Sequence, residues 1–167
     1  MATIRDNSRA VKKSVFMPSL ELLMPLLYYP NPGDVLVCHY DSEHDVFDGE
    51  ICKSRPVIVV GPRLRRRGKV VTVVPLSTSE PDALEGFHWK YVPSQPFPAP
   101  FDSPIMWAKC DLVSSVALER LDRFKEPRVR YGGARKWTSG KLSATQLKEI
   151  KAAVLCGLGL ASLTIHL

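Results

Sequence analysis

The chain has 167 residues, of which 45% are hydrophobic and 24% charged, and its formal net charge is +6. That length holds one domain with a proper core, and the ordinary globular composition excludes a chain disordered throughout. The cationic excess favours a polyanionic partner, because Lys and Arg gain by displacing counterions around phosphates, although a basic surface can also simply be soluble.

Residues 1–31 read as an N-terminal extension and 32–167 as the domain. Arg5, Arg9, Lys12 and Lys13 precede an apolar stretch from Val15 to Tyr29, superficially the layout of a signal peptide. Pro18, Glu21 and Pro25 interrupt that stretch and no small-residue cleavage site follows. It is too short and broken to span a bilayer, so no membrane association is expected. The portion from Ser19 to Leu27 is expected to pack as a short helix on the domain or on a partner.

Pro32-Gly33-Asp34 is a turn that feeds the run Val35 to Tyr40, whose β-branched and aromatic residues argue for a strand. An acidic segment from Asp41 to Glu50 follows, long for a hairpin loop. Pro56 to Val60 is apolar throughout, as a strand buried on both faces would be. The basic turn RLRRRGK, Arg63 to Lys69, leads to a third strand over Val70 to Leu76. Gly86 to Val92 reads as a fourth. Pro93 to Pro104 carries five prolines and is a stiff connection. Strands resume over Ile105 to Cys110 and Leu112 to Ala117. Lys125 to Lys141, with six Lys/Arg, reads as a polar surface excursion. Ser143-Ala144-Thr145-Gln146 has capping-box form. Leu147, Ile150, Val154 and Leu158 then make one apolar helical stripe that Gly157 and Gly159 end. Short strands followed by one packed helix predict an α+β, mainly β domain: a small barrel or strongly bent sheet with a C-terminal helix.

The four cysteines, Cys38, Cys52, Cys110 and Cys156, are widely spaced. Zinc ligands come in close pairs, so no metal site is expected. Nor is a disulfide framework, and a reducing cytoplasm fits. Cys38 and Cys110 read as buried free thiols.

A reaction at a phosphodiester requires a group that accepts the proton of the attacking hydroxyl, a cation against the charge of the phosphorane, and a donor for the leaving oxygen. Arginine suits the second role because its planar fork matches phosphate oxygens. In Ser54-Arg55-Pro56, the proline holds Arg55 extended at a strand entrance. The strand from Val70 delivers Ser77, Thr78 and Ser79 at its exit. If the two strands form an antiparallel hairpin through the basic turn, Arg55 and Ser77 are neighbours; taken alone, an arginine before a strand is more often a surface residue.

The segments PGDVLVCHY, SRPVIVVGP, VVTVVPLSTS, WAKCDLVSSVALERL and LSATQLKEIKAAVLCGLGL follow one another in the order of the PemK/MazF toxins, and the chain resembles that family from about residue 32 to residue 160. RPVIVV followed by VVPLSTS is the most specific part. The resemblance implies an SH3-like, CcdB-like barrel, a homodimer, an endoribonuclease acting on single-stranded RNA to leave a 2′,3′-cyclic phosphate, no cofactor, and a cognate antitoxin as inhibitor. The family's catalytic arginine falls on Arg55 and its hydroxyl residue on Ser77, with Thr78 adjacent. Asp111, Glu50 and His88 are all candidates for the base. The Asp41–Lys53 segment matches a gating loop by position only. Lys53, Arg63, Arg65, Arg66, Arg67, His88 and Trp107 are candidate RNA contacts, against the plainer readings of a solvated hairpin tip, an edge histidine and a core tryptophan. Two further classes compete: a non-catalytic gyrase poison on the same barrel, and a nucleic-acid or protein adaptor. The retained Arg55 and Ser77 favour the nuclease.

Overall fold

The computed structural model describes Leu26, residues 28–40, Ile51, residues 53–127 and residues 136–167. Apart from Leu26, the expected helix over Ser19 to Leu27 lies outside them, as do Glu50 and nearly all of the acidic loop. In chain order the strands are β1 (Asp34–Cys38), β2 (Arg55–Val59), β3 (Val70–Ser77), β4 (His88–Tyr91), β5 (Met106–Lys109), β6 (Ser114–Ala117), β7 (Leu121–Asp122), β8 (Phe124–Lys125), β9 (Trp137–Thr138) and β10 (Gly140–Lys141), followed by helix α1 (Ala144–Gly157). Every observed strand pair is antiparallel, which makes the domain α+β and mainly β.

Two strands change partner midway, and this bends the sheet. β1 pairs with β2 along one edge and with β10 and then β7 along the other. β3 pairs with β2 on one edge; on the other, Val70 to Val73 pair with β6, and Leu76 and Ser77 with β5. The short 3-10 turn Cys110–Leu112 bridges that switch between β5 and β6. Pro75 sits in the interruption of the ladder, where a strand accepts a residue without an N–H. The curling brings the ends of the sheet together. A Cβ on Gly140 of β10 would lie 2.9 Å from Val35 Cβ and 3.1 Å from the Tyr91 hydroxyl of β4, so only glycine fits there.

The alternation of side chains sorts β1, β2 and β3 into two cores. Val35, Val37, Ile58, Val74 and Leu76 face α1, which contributes Ile150 and Ala153. Leu36, Cys38, Val57, Val59, Val71 and Val73 face the other way, onto Leu26, Val116 and Leu121. Both faces being covered explains why these strands read as continuous apolar runs instead of alternating ones. Burial also pushes the thiol pKa of Cys38 up to about 11 and that of Cys110 to about 12, so neither forms a reactive thiolate near neutral pH.

The predicted helix is present with both ends as read. Ser143 Oγ accepts from Gln146 N–H at 3.2 Å, and Ser143 N–H donates to Gln146 Oε1 at 2.9 Å. At the other end Gly159 adopts φ +74, with Leu160 N–H donating to Leu155 O and Gly159 N–H to Cys156 O, a Schellman closure. Ile150 is fully buried and Leu147 and Val154 partly so, whereas Leu158, past the last turn, is 53% exposed. No helix among the described residues is long and apolar enough to cross a membrane.

Of the expected surface excursion from Lys125 to Lys141, residues 128–135 lie outside the described residues, and the two ends that are described form short strands. Phe124 and Lys125 pair with Thr138 and Trp137, and Gly140–Lys141 extends the main sheet; pairs this short leave no periodic signal. Next to it Asp122 is buried at 1% exposure. Its Oδ1 accepts from Arg123 N–H at 2.7 Å, and Lys125 Nζ lies 3.8 Å from Oδ2. Burial raises its pKa above the usual carboxylate range, against the opposing pull of that hydrogen bond and of Lys125. The folded state therefore binds this proton more tightly than the unfolded one, and stability falls as pH rises through the raised pKa. Asp122→Asn keeps the Oδ1 acceptor and removes the titration. Its melting temperature relative to wild type is expected to improve as pH rises above the ordinary carboxylate pKa of about 4; a difference that does not change with pH would refute this.

Candidate functional site

Arg55 opens β2 and Ser77 closes β3. The observed register pairs Val57 with Pro75, and extending it by two residues sets Arg55 opposite Ser77. Both line one open cavity of about 350 Å³, together with His88, Lys109, Asp111 and the apolar Leu112. Four of the residues singled out from the sequence (Arg55, Ser77, His88 and Asp111) thus meet in one place. The topology accounts for it: the β2–β3 hairpin supplies the first two, the edge strand β4 the third, and the turn at the β5–β6 switch the fourth.

The local chemistry of each group is specific. Ser77 Oγ accepts from Ser79 N–H at 3.2 Å, so its own proton is available to donate outward. His88 Nδ1 accepts from Glu85 N–H at 3.2 Å, which places the proton of the neutral ring on Nε2. His88 in that tautomer is a hydrogen-bond donor. Arg55 is half-buried, and its Nε is buried with no hydrogen-bond partner among the described residues. The hydroxyls of Tyr40 and Ser114 are buried as well, and the Arg55 charge acts on Tyr40. Burial pushes the Tyr40 pKa well above the usual phenol range, and the nearby Arg55 charge pulls it partly back.

Lys109 is a cavity residue that sequence reasoning missed. It lies directly across from His88 on the β4–β5 ladder. Nothing in the segment MWAK distinguishes it from a solvated lysine; only the register does. Tyr40 and Ser114 were missed for the same reason, being ordinary members of strand-like runs. Among the described residues, Arg55 and Lys109 stand against the one carboxylate of Asp111, so the charged groups described there are net cationic, which suits a phosphodiester.

The remaining candidates lie elsewhere. Thr78 and Lys53 are exposed and are not among the cavity's lining residues. Arg63, Arg65, Arg66 and Arg67 are exposed at the hairpin tip, the opposite end of β2 and β3 from Arg55. At about 3.3 Å per residue this separates them from the cavity by roughly 20 Å. The Arg63 guanidinium sits 5.6 Å above the Tyr29 ring. Trp107 is buried at 6% exposure, with Lys90 Nζ 5.8 Å from its ring centroid.

The end of α1 holds the Asp111 turn in place. A Cβ at Gly157 would come within 3.0 Å of both Asp111 Cα and Asp111 N, a contact with backbone that no side-chain rotation relieves. Gly157→Ala is expected to displace Asp111 and lower activity at the cavity while the chain stays folded. Amide chemical shifts that change at Asp111 but not in β1, together with a reduced rate, would show it; an unaltered rate would contradict it.

Several known proteins are similar to this chain. The uncharacterised protein YifN of Escherichia coli (strain K12) is 31% identical over 116 residues, covering 60% of this chain and 76% of YifN. Among solved structures, an endoribonuclease from Mycobacterial species aligns at 16% identity with a TM-score of 0.49, covering 81% of this chain and 96% of that one. An endoribonuclease in complex with its cognate antitoxin, also from Mycobacterial species, aligns at 19% identity and a TM-score of 0.49, over 78% and 96% of the two chains. The Mycobacterium tuberculosis toxin MazF-mt6 aligns at 16% identity and 0.48, over 75% and 96%. The family match spans residues 31–156, which contain every residue of the cavity, and the chain belongs to the PemK-like, MazF-like toxins of type II toxin-antitoxin systems.

Proposed function

We propose that the chain is an endoribonuclease that cleaves single-stranded RNA by attack of a 2′-OH on the adjacent phosphorus, with no metal taking part. The observation that carries this reading is the meeting of Arg55, Ser77, His88, Lys109 and Asp111 in one cavity within the family's matched segment. Arg55 and Lys109 offset the charge that grows on the phosphorane. The Ser77 hydroxyl donates to a non-bridging oxygen. On this reading Asp111 accepts the 2′-OH proton, and His88, with its proton on Nε2, donates to the leaving 5′-oxygen. The partners that go with this role are a cognate antitoxin and a second copy of the chain, in the cytoplasm.

Incubation with a single-stranded RNA in excess EDTA tests the chemistry. The expected products are a 5′-hydroxyl and a 2′,3′-cyclic phosphate, and a substrate with 2′-deoxy sugars throughout should survive. A strict need for a divalent cation, or cleavage of the deoxy substrate, would overturn the mechanism. Loss of DNA supercoiling in cells whose RNA stays intact would favour the gyrase-directed alternative.

A further inference from the structure

A second cavity, of about 310 Å³, opens on the face of β1 and β8 away from the Arg55 site. Its apolar lining comes from the Pro98–Phe101 segment, Phe124 and Pro127, with the Phe101 ring edge-on to Phe124 at 5.9 Å. His39 forms part of it. The main chain fixes that residue, because His39 N–H donates to Arg120 O at 2.8 Å and Arg120 Nη1 donates back to His39 O at 3.4 Å. Its Nδ1 lies 3.0 Å from Ser54 Oγ, while Nε2 is buried with no hydrogen-bond partner among the described residues. Beneath it lies Asp122, whose Oδ2 is buried and also without a hydrogen bond there. Arg123 and Lys125 stand at the rim, each placed by the Trp137 ring, at 5.7 and 5.4 Å from its centroid. Glu126 is the one carboxylate among the described lining residues.

An apolar lining, an unused hydrogen-bonding edge at the floor and cations at the rim are the features that bind a base and its phosphate together. Burial, and next the charge of Lys125, lower the His39 pKa, so the ring is neutral near pH 7 and offers one donor and one acceptor. The position also connects with the first cavity. Cys38 pairs with Arg55, so the His39–Ser54 contact is the next step along the same ladder.

We infer that this cavity binds a single nucleotide, its base against Phe101 and His39 and its phosphate on Arg123 and Lys125. On the RNA-cleaving reading, on which this placement rests, it would receive a nucleotide flanking the scissile one and so bias the sequence that is cut. The test is titration of the intact chain with each of the four nucleoside 5′-monophosphates, and separately with inorganic phosphate, followed by NMR on the His39 imidazole and Phe101 ring signals. At least one nucleotide is expected to move both sets, and Phe101→Ser to weaken that binding about tenfold. His39→Gln, which keeps a polar side chain of similar reach, is expected to alter which base is preferred. The inference is overturned if phosphate alone produces the same shifts, if the nucleotides move His88 and not His39, or if none binds. Nucleotide binding at His39 in a chain that cleaves no RNA would sink the nuclease reading and leave this one standing. Cleavage with no response at His39 would do the reverse.

Discussion

On the proposed function, Arg55→Ala is expected to reduce RNA cleavage sharply and to leave the melting temperature close to that of wild type. Arg55 is a half-buried cation of the cavity, opposite Ser77, and its Nε has no hydrogen-bond partner among the described residues, so truncation removes a donor while breaking no ion pair among those residues. Losing one such preorganised donor costs about a hundredfold to a thousandfold in rate. Arg55→Lys restores the charge but not the planar fork, so only part of the activity should return. The Ser77 series separates the roles further. Ser77→Thr keeps the hydroxyl and should stay active, whereas Ser77→Ala should reduce the rate while still permitting binding of an uncleavable RNA. Initial rates on a fluorogenic oligonucleotide decide it; an Arg55→Ala protein that cuts at the wild-type rate removes the assignment.

Phe124→Ala is the most destabilising change expected outside the site. The side chain is 1% exposed, stacks on Phe97 with centroids 4.0 Å apart at 5°, and meets Phe101 edge-on at 5.9 Å. Through Phe97 the row continues to Tyr91 and Trp89, and Trp89 Nε1 donates to Glu149 of α1 at 3.1 Å. Truncation leaves a cavity in the middle of this row and costs about 3–5 kcal/mol, part of it from the lost ring pairs. Phe124→Leu should recover roughly half of that loss. Urea denaturation measures both, and a loss under about 1 kcal/mol for the alanine variant would show that the row closes up around the gap.

Much of the scaffold could be read in advance because its signals are local. β-branched runs mark β1, β2 and β3, and the pairing of Ser143 with Gln146 marks the start of α1; each depends on residues a few positions apart. The Arg55–Ser77 juxtaposition was legible for a related reason, since one antiparallel hairpin brings a strand entrance beside a strand exit. Phe124 gave no such signal. It lies in a two-residue strand, and its importance comes from Phe97 and Phe101, delivered by a proline-rich connection that reads as a spacer. Lys109 was equally silent, because only its pairing with His88 puts it in the cavity.

By itself, then, the sequence determined the mainly β class with its terminal helix, and that Arg55 and Ser77 would be neighbours across one hairpin. The tertiary structure alone decided which other groups join them. Asp111 enters because β3 exchanges β6 for β5 and a turn must bridge the gap, and Lys109 and His88 enter by cross-strand register. It also moved the basic hairpin tip to the far end of the sheet. The physical reason is one of range: hydrophobic periodicity and capping act over one or two turns of chain, whereas a site assembled from several strands depends on registers that side-chain packing on both faces of the sheet sets together.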